Sequence, residues 1–584
     1  LTGVANIQRE NINISQWLSL VQCEENSCNF SHMDPWHEEI RVFLNPAEPG
    51  PYANCKPMTE MTQLIYSPTD KKSYLSIKEE YVNNYGCRYN RPPAITRNST
   101  GGFGIHMLVL DAVSHSSFIR GLPKFTNLLA EEYEAIPFPH LNKVGSNSMP
   151  NGFAILMGKQ AEPMPPSPLN KETIEEDAGY QYKNRCMTPL DGEKSFIGFQ
   201  LRDFGYTTMM AEDWALGLFN HPNCTGFTTT PVDHYMRPLP LRHGRVTLTE
   251  PKNYGDFVNY ERRRCREGHQ ILLDYLESFV NIYDDVRQKF SITWTTELAH
   301  DNLNYIYHGD GSLYEVFEKL KSKVSFLICY HGIRMGDHLY TEIGELEGYN
   351  PAFFISLPRK LRKNKVLRKV LEENSRQLIS HHDVYATLMD IGKNSHFWTE
   401  SHWDSSQWPT DDSDRQLNAH MHGSSLLRNL KQPRDCSTLR IPYAYCLCAK
   451  PYIEVTNDTA LVVRLAHASV DKINKDIRAH NYSDKCAKLS LHESEKVTLL
   501  ETEKQDHTAG MTRTRNFKIR FKTQPGGGYF VIKLRLIFDN NSGKKGNIEF
   551  TENEFERHNQ HGHQSECAKE SKTIRPLCYC KYLL

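Results

Sequence analysis

The sequence lacks any apolar run close to the roughly 18 residues that a helix needs to cross a bilayer, so we expect no membrane span in this segment. It also lacks a surplus of either charge, because 69 Lys and Arg face 70 Asp and Glu. The chain as a whole therefore has no attraction for a phosphate backbone, which argues against nucleic acid as a partner. Low-complexity tracts and repeats are absent, and 39% hydrophobic residues describe a globular protein rather than a collagenous or disordered one.

Cysteine, in contrast, is present 15 times. Cys329 lies in the apolar run VSFLICY (324–330), where a free thiol acts as a small hydrophobe, and the other 14 could form up to seven disulfides. Two close pairs have a single intervening residue, a spacing that zinc ribbons do not usually show. We therefore favour disulfides of a secreted protein over zinc ligands or free thiols. The predicted disulfide cysteines include Cys436, Cys446, Cys448, Cys578 and Cys580.

The cysteine content predicts an extracellular location, either as a secreted protein or as the ectodomain of a membrane-anchored one. The segment opens at Leu1 with neither a basic start nor an apolar signal core, so we expect a signal peptide or an anchoring helix upstream of it. Glycosylation sequons agree with secretion, although an Asn-rich chain of this length contains several by chance. They lie at Asn13, Asn29, Asn98, Asn223, Asn457, Asn481 and Asn540.

Patterning divides the chain into three predicted units. Residues 1–95 contain Cys23, Cys28, Cys55 and Cys87 with little periodicity, and are predicted to be a disulfide-tied module. Residues 96–445 alternate buried strands with amphipathic helices, which predicts an α/β domain whose central sheet is mainly parallel and flanked by helices. Residues 446–584 are predicted to be a small β-rich, disulfide-containing domain, in which LVVRLAHA (461–468) and GGGYFVIKLRLIF (526–538) are the strand candidates.

The α/β prediction rests on particular segments. HMLVLD (106–111) and FSITW (290–294) have the character of buried strands, and VSFLICY is a third. Helical spacing of apolar residues indicates helices over Ile271–Phe279 and Leu313–Leu320.

Polar clusters follow several of these strands. They are Asp111 with Ser114, Ser148 in NKVGSNSMPN, His300 with Asp301, and His331. Acids and histidines at neighbouring strand tips can converge on a metal, and a hydroxyl beside that metal can become a nucleophile. Any single histidine is more often structural, so the order and spacing carry the hypothesis.

Ordered motifs extend this pattern over nearly the whole chain. Taken together they resemble the domain of unknown function two-two-nine family, a metazoan branch of the alkaline phosphatase and sulfatase superfamily. The motifs are DPWHEEI (34–40), Cys87-Arg88-Tyr89, LDAVSHSSFIRGLPK (110–124), NKVGSNSMPN (142–151), FGYTTMMAEDW (204–214), PVDHYMRP (231–238), HGIR (331–334), LISHHDVYATL (378–388), HGSSLLR (422–428) and the cysteines at 436, 446 and 448.

The resemblance implies an alkaline phosphatase- or sulfatase-like core and a role for each polar cluster. By position, Asp111 is a metal ligand, Ser148 takes the place of the nucleophile, and His331 is a second metal ligand. His300 resembles the histidine of a second metal or substrate site. Asp213 and Asp301 are weaker candidates without an assigned role.

Three departures from the family pattern weaken the implied site. Tyr330 replaces the aspartate that precedes His331, Tyr385 stands where a histidine is common, and Leu339 replaces a usual arginine. A neutral phenol is a poor substitute for a carboxylate on magnesium, calcium or zinc. The residues that could rebuild a site are Asp337, His381, His382 and Asp383. Alternatively, residues 380–383 are an ordinary helix start in which Asp383 caps free amides.

Two functions from different classes follow. We favour a pseudoenzyme that binds an anionic glycan, a phosphoester or an extracellular protein partner. The alternative is an active metal-dependent phosphoryl, sulfuryl or phosphoethanolamine-type hydrolase or transferase with Ser148 as nucleophile and His300 as an aid to the leaving group. A divalent metal such as zinc, calcium or magnesium is the expected cofactor if the site is intact, and none is expected otherwise.

Overall fold

The chain is described by a computed structural model. The predicted strand VSFLICY (324–330), which contains Cys329 and Tyr330, and the candidate ligand His331 lie outside the described residues, as does most of the predicted N-terminal module. The described residues are 33–48, 62–67, 72–77, 103–167, 170, 172–193, 195–214, 217–221, 223–237, 265–284, 288–321, 332, 336–398, 408, 421–448, 452–502, 512–539, 546–551, 555, 557–559, 562–571 and 573–584.

Strands and helices alternate through the α/β region, as the patterning predicts. Upstream of it lie α1 (Glu38–Arg41) and an antiparallel hairpin of β1 (Thr62–Ser67) and β2 (Lys72–Ile77). The strands that follow are β3 (Ile105–Leu110), β4 (Ile136–Pro137), β5 (Leu141–Asn142), β6 (Thr207–Glu212), β7 (His234–Tyr235), β8 (Lys289–Thr295), β9 (Phe354–Ile355) and β10 (Ile379–Ser380).

The helices of this region include both of those predicted from apolar spacing. They are α2 (His115–Gly121), α3 (Pro123–Glu131), α4 (Ser148–Met157), α5 (Tyr182–Met187), α6 (Ile197–Asp203), α7 (Gly217–Asn220), α8 (Gly268–Ile282), α9 (Ile306–Leu320), α10 (Glu342–Tyr349), α11 (Lys365–Ser375) and α12 (His381–Asn394). Short 3-10 helices lie at Leu190–Glu193, Asp337–Tyr340, Leu361–Lys363, Ser395–Phe397 and Tyr443–Tyr445.

The central sheet is parallel throughout its described strands, in the order β3-β8-β6-β7. In register, Leu108 of β3 lies opposite Thr293 of β8. Parallel strands have their carboxyl ends at one edge, so the residues that follow β3, β6 and β8 emerge on the same side of the domain. The predicted parallel sheet and its strands HMLVL and FSITW are therefore confirmed.

Helices cover both faces of the sheet, which is why β3, β6 and β8 are buried along their whole length. Side chains of β3 alternate between two cores: Met107 and Val109 pack with residues of α4 and α12, whereas Leu108 and Leu110 pack with residues of α3, α8 and α9. Small two-stranded pairings, β5 with β10 and β4 with β9, lie beside this sheet.

The C-terminal region is an antiparallel sheet in the order β11-β13-β14-β15-β16, with β12 paired to β14. The Gly-rich turn before GYFVIKLRLIF is present, and Gly526 and Gly527 both have positive φ, a conformation that favours glycine. The elements are β11 (Tyr452–Glu454), α13 (Thr459–Ala479), β12 (Ser490–Leu491), β13 (Thr498–Thr502), β14 (Thr512–Gln524), β15 (Gly528–Asp539), β16 (Asn547–Phe550) and 3-10 helices at Gly562–Ala568, Arg575–Leu577 and Lys581–Leu583.

The prediction that LVVRLAHA forms a strand was wrong, because this segment lies in the 21-residue helix α13. Asp458 accepts a hydrogen bond from the amide of Leu461 and caps the helix. Leu461, Leu465 and Ile473 are buried on one helix face. The eight-residue run is too short to distinguish a strand from one face of a helix, which only the longer spacing reveals.

Charged residues join the C-terminal sheet to the α/β region. Glu345 of α10 is buried, and its Oε2 lies 3.1 Å from Lys518 Nζ and 2.7 Å from Arg520 Nη2, both on β14. Burial alone would raise the pKa of Glu345, but Lys518, Arg520 and Lys533 hold it well below its usual range. The two regions therefore contact one another through a charge cluster withdrawn from water.

The predicted disulfides are present in the part of the chain that the structure describes. Cys436 pairs with Cys446, Cys578 with Cys486, and Cys580 with Cys567, and Cys448 is also disulfide-bonded. A further disulfide joins Cys186 to Cys224. These bonds fit the predicted oxidising compartment.

Three of the sequons lie among the described residues. Asn223, Asn457 and Asn481 are exposed, and the other sequons lie outside the described residues. Among the helices that the structure describes, none combines the length and apolar character required to cross a membrane.

Candidate active site

Two of the predicted site residues are in direct contact. Asp111 immediately follows β3 and is 3% exposed, and Ser148 is the first residue of α4. The Ser148 hydroxyl donates to the Asp111 carboxylate, with Oγ 3.2 Å from Oδ2 and 3.3 Å from Oδ1. Trp294 Nε1 also donates to Asp111 Oδ2, at 3.2 Å. The sheet edge thus holds a buried carboxylate and a half-buried hydroxyl within hydrogen-bonding distance.

Helix α4 positions Ser148 because its start is capped locally. Asn147 precedes the helix in an extended conformation, and its side chain accepts a hydrogen bond from the amide of Met149 at 3.0 Å. Ser148 therefore lies at a helix N-terminus, where amide groups and the helix dipole favour negative charge.

Asp213 follows β6 at the same edge and organises the loop after β8. Its carboxylate accepts hydrogen bonds from Thr295 Oγ1 at 2.7 Å, from the Thr296 amide at 2.7 Å and from the Glu297 amide at 3.3 Å. These three donors occupy a carboxylate that is almost fully buried. Asp213 thus shapes the turn that leads to His300.

His300 and Asp301 lie in that loop. His300 Nδ1 is 2.6 Å from Asp301 Oδ1, and the His300 amide donates to Thr296 O at 3.2 Å. The His300 side chain is 23% exposed and that of Asp301 is 82% exposed, so the histidine faces the protein more than the acid does.

The remaining metal candidate, His331, lies outside the described residues together with Tyr330. Gly332, which follows them in the chain, packs so closely on α10 that a Cβ would overlap the carbonyl oxygen of Glu347. Only glycine fits this approach. Ser114, three residues after Asp111, donates a hydrogen bond from its Oγ to the Glu347 carboxylate at 3.0 Å.

The segment 380–383 begins a helix, as the alternative interpretation predicted. The Ser380 amide donates to Asp383 Oδ2 at 2.8 Å, and the Ser424 amide and Arg434 Nη2 donate to the same carboxylate at 2.9 and 2.7 Å. Asp383 is therefore fully engaged as a helix cap and ion-pair partner.

The other residues that could rebuild a site, and the two described positions that depart from the family pattern, have different surroundings. His382 is buried in edge-to-face contact with His422, with ring centroids 5.2 Å apart, and burial followed by the charge of His422 lowers its pKa well below the usual range. Asp337 is exposed at the start of a 3-10 helix. Tyr385 is buried and donates to Ser195 O at 2.8 Å. Leu339 is buried as well.

Oxygen ligands are present for a cation at Asp111 and Ser148. Bonds of 2.1–2.4 Å at right angles place neighbouring ligand oxygens about 3.0–3.4 Å apart, and the Ser148–Asp111 separation of 3.2 Å agrees with this. Cysteine offers no competing site in the described residues, because every cysteine of the two close trios there, 436/446/448 and 486/567/578, is disulfide-bonded.

A family model described as "Protein of unknown function (DUF229)" matches residues 49–495, about three quarters of the chain. The chain belongs to the DUF229 family. No curated protein matches it. The match includes Asp111, Ser148, Asp213, His300 and the helix start at His381.

In this DUF229 chain, two acids at the sheet edge have raised pKa values. Burial raises the pKa of Glu212 to about 7, and burial raises that of Asp213 to about 6, with the charge of Asp111 adding to both. The Leu218 amide donates to Glu212 Oε1 at 3.1 Å and offsets part of the shift. Three acids at one edge therefore favour any cation that enters.

Without metal, replacing Glu212 with glutamine should raise the free energy of unfolding. This gain should be about 2 kcal/mol larger at pH 8 than at pH 5. The folded-state pKa is raised, so native stability falls as pH rises from the unfolded value of 4.5 through about 7. Glutamine can still accept the hydrogen bond from the Leu218 amide, and it does not ionise. Denaturant unfolding with chelator at both pH values measures the difference, and the exposed Glu570→Gln serves as control. An equal effect of pH on native and Glu212→Gln proteins would contradict the prediction.

Sequence reasoning missed two residues of this site. Glu212 lies in the AEDW motif beside Asp213, but nothing in the motif distinguishes it from an ordinary strand residue. Trp294 is predicted only as part of a strand. Its indole contacts Asp111 because β8 neighbours β3. The strand order, which the sequence does not specify, was the missing signal.

Proposed function

We propose that this DUF229 protein is an extracellular, alkaline phosphatase- and sulfatase-like pseudoenzyme. Its site at Asp111 and Ser148 holds a divalent cation weakly and, through it, binds a phosphate- or sulfate-bearing ligand such as an anionic glycan or a phosphoester. The observation that carries the proposal is the 3.2 Å contact between Ser148 Oγ and the buried Asp111 carboxylate at the N-terminus of α4.

The chemistry of the residues supports this division between binding and turnover. A bound cation would neutralise the ligand's charge and lower the pKa of the Ser148 hydroxyl. Asp111 supplies a buried negative charge for it, and the α4 amides favour the anionic group that follows. The residues thus suit an anion that binds together with a cation, because Glu212 and Asp213 would repel an anion that binds without one.

Weak cation binding follows from how the nearby carboxylates are used. Tyr330 replaces the expected aspartate, and a neutral phenol contributes no negative charge. Asp213 is occupied by three hydrogen-bond donors, and Asp383 by two amides and Arg434. Of the described candidates, Asp213 and Asp383 therefore already have their carboxylate oxygens engaged by other donors.

An active hydrolase or transferase is the second candidate, and the retained Ser148–Asp111 contact favours it. In that case Ser148 Oγ would form a bond to phosphorus or sulfur while the ester oxygen departs with a proton, for which His300 is the donor that the family resemblance suggests. Ser148 would pass its own proton to a base at the site, and water would release the group from the serine.

Turnover and binding assays distinguish the two candidates. We expect native protein to hydrolyse nitrophenyl phosphate, phosphodiester and sulfate no faster than Ser148→Ala does, with magnesium, calcium or zinc added. We expect inorganic phosphate or sulfate to bind only with a divalent cation, and less to Asp111→Asn than to the control Asp471→Asn, an exposed residue of α13. Hydrolysis that Ser148→Ala abolishes would establish the enzyme, and absence of cation-dependent anion binding would refute the pseudoenzyme site.

A further inference from the structure

A cluster of one carboxylate and two imidazoles lies beside the candidate site. Glu267 precedes α8, His269 is in the first turn of α8, and His308 is in the first turn of α9. The cluster adjoins Asp213, because a Cβ at Gly268 would lie 3.3 Å from Asp213 Cβ. None of its three residues belongs to the motifs that carry the family resemblance.

Hydrogen bonds determine which nitrogen of each imidazole carries the proton. His308 Nε2 lies 3.0 Å from the carbonyl oxygen of Glu48, which can only accept, so Nε2 is the protonated nitrogen. His269 Nε2 lies 2.8 Å from Ser312 Oγ, whose own proton is donated to Gly309 O, so His269 also donates from Nε2. In both neutral rings Nδ1 therefore presents a lone pair.

Both of these lone pairs face the same carboxylate. His269 Nδ1 is 3.4 Å from Glu267 Oε2, and His308 Nδ1 is 3.4 Å from Glu267 Oε1. Neither Nδ1 has a hydrogen-bond partner in the described structure, although the His269 side chain is only 3% exposed. At each of these two contacts, a nitrogen lone pair therefore faces a carboxylate oxygen with no hydrogen between them. One added proton could form a hydrogen bond at only one of the two contacts. A single divalent cation would satisfy both.

We propose that Glu267, His269 and His308 form a transition-metal site, separate from the oxygen site at Asp111 and Ser148. Two imidazoles and a carboxylate are ligands that zinc and related ions take in proteins. Ligands 2.0–2.1 Å from a tetrahedral ion lie about 3.3 Å apart, close to both Nδ1–oxygen distances here. Donation from the opposite ring nitrogen to a carbonyl or hydroxyl is also the usual support of a metal-bound histidine.

Binding requires the cluster to close around the ion. In the described structure, the trios with three donor atoms all within 4.8 Å of one another are cysteine trios, so at least one pair of donor atoms among Glu267, His269 and His308 is farther apart and must approach around an ion. His308, with 15% of its side chain exposed, is the ring with room to move. Because His308 also donates to Glu48, the ion would fasten α8, α9 and the N-terminal segment to each other.

Cobalt(II), a spectroscopic substitute for zinc, tests the site in the full chain after treatment with chelator. We expect Asp111→Asn protein, which lacks the oxygen site, to bind one Co²⁺ with visible absorption typical of nitrogen and oxygen ligands. Glu267→Gln and His308→Asn, each made in that background, should bind at least about 10-fold more weakly. His467→Asn, at an exposed position of α13, should have no effect.

A second measurement guards against variants that fail to fold. Zinc should raise the thermal unfolding midpoint of Asp111→Asn protein, and this rise should disappear in the folded Glu267→Gln variant, which preserves the size of the side chain. Absence of Co²⁺ binding by Asp111→Asn protein would overturn the proposal. Binding that neither Glu267→Gln nor His308→Asn weakens would overturn it equally. Neither result would bear on the pseudoenzyme proposal, which depends on Asp111 and Ser148.

Discussion

Replacing Glu347 with glutamine should lower the free energy of unfolding by about 3–5 kcal/mol. Glu347 and Arg120 form a bidentate ion pair, with Nη1–Oε1 and Nη2–Oε2 distances of 2.6 and 2.8 Å. The Glu347 side chain is 0% exposed and that of Arg120 is 1% exposed. Glutamine has nearly the same shape but leaves the Arg120 charge buried without a counter-charge. Arg120 also donates to Pro35 O at 2.7 Å, so the loss should loosen the N-terminal segment as well.

The charge itself, rather than a change of shape, should cause this loss. A matched control is the exposed pair Lys496–Glu454, with a nitrogen–oxygen distance of 2.7 Å, where Glu454→Gln should cost less than about 1 kcal/mol. Adding Arg120→Met to Glu347→Gln should restore part of the stability, since no unpaired charge remains. Denaturant unfolding measures all four proteins. A loss at Glu347 no larger than at Glu454 would show that water reaches the Arg120 charge.

Much of the α/β region could be predicted because its strands are buried on both faces. HMLVL and FSITW are short, buried and rich in apolar residues, and α8 and α9 have apolar residues at helical spacing. LVVRLAHA has the same density of apolar residues but belongs to α13. Local composition distinguishes buried from exposed segments, whereas the packing partner decides between helix and strand for a short run.

A site residue could be predicted from the sequence only where it directly follows a recognisable buried strand. Asp111 could be identified because it ends an apolar run, and its contact with Ser148 follows from α4 beginning at the same sheet edge. The pairing of Arg120 with Glu347, 227 residues apart, has no local signature. Nor has the meeting of Glu267 with His308, which depends on how α8 packs against α9.

Restoring a carboxylate at position 330 should have the largest effect on function. Tyr330→Asp should bind a divalent cation about 10–100-fold more tightly than native protein, because it supplies both a negative charge and an oxygen ligand. The expectation rests on the proposed oxygen site, where Asp111 and Ser148 already lie 3.2 Å apart. Calorimetric titration with magnesium, calcium and zinc measures the affinity, and Glu267→Gln should be included in every protein so that only this site is counted.

The gain should come from the position of the charge and not from net charge alone. Tyr582→Asp is the matched control, because Tyr582 is 62% exposed and the change in charge is identical. It should leave cation affinity unchanged, whereas adding Asp111→Asn to Tyr330→Asp should abolish the gain. If Tyr330→Asp also hydrolyses nitrophenyl esters in a Ser148-dependent manner, the missing carboxylate alone separates this chain from a catalyst. If native and Tyr330→Asp proteins bind cations equally, ligands other than residue 330 already complete the site, and the active-enzyme candidate becomes the better account of Ser148 and Asp111.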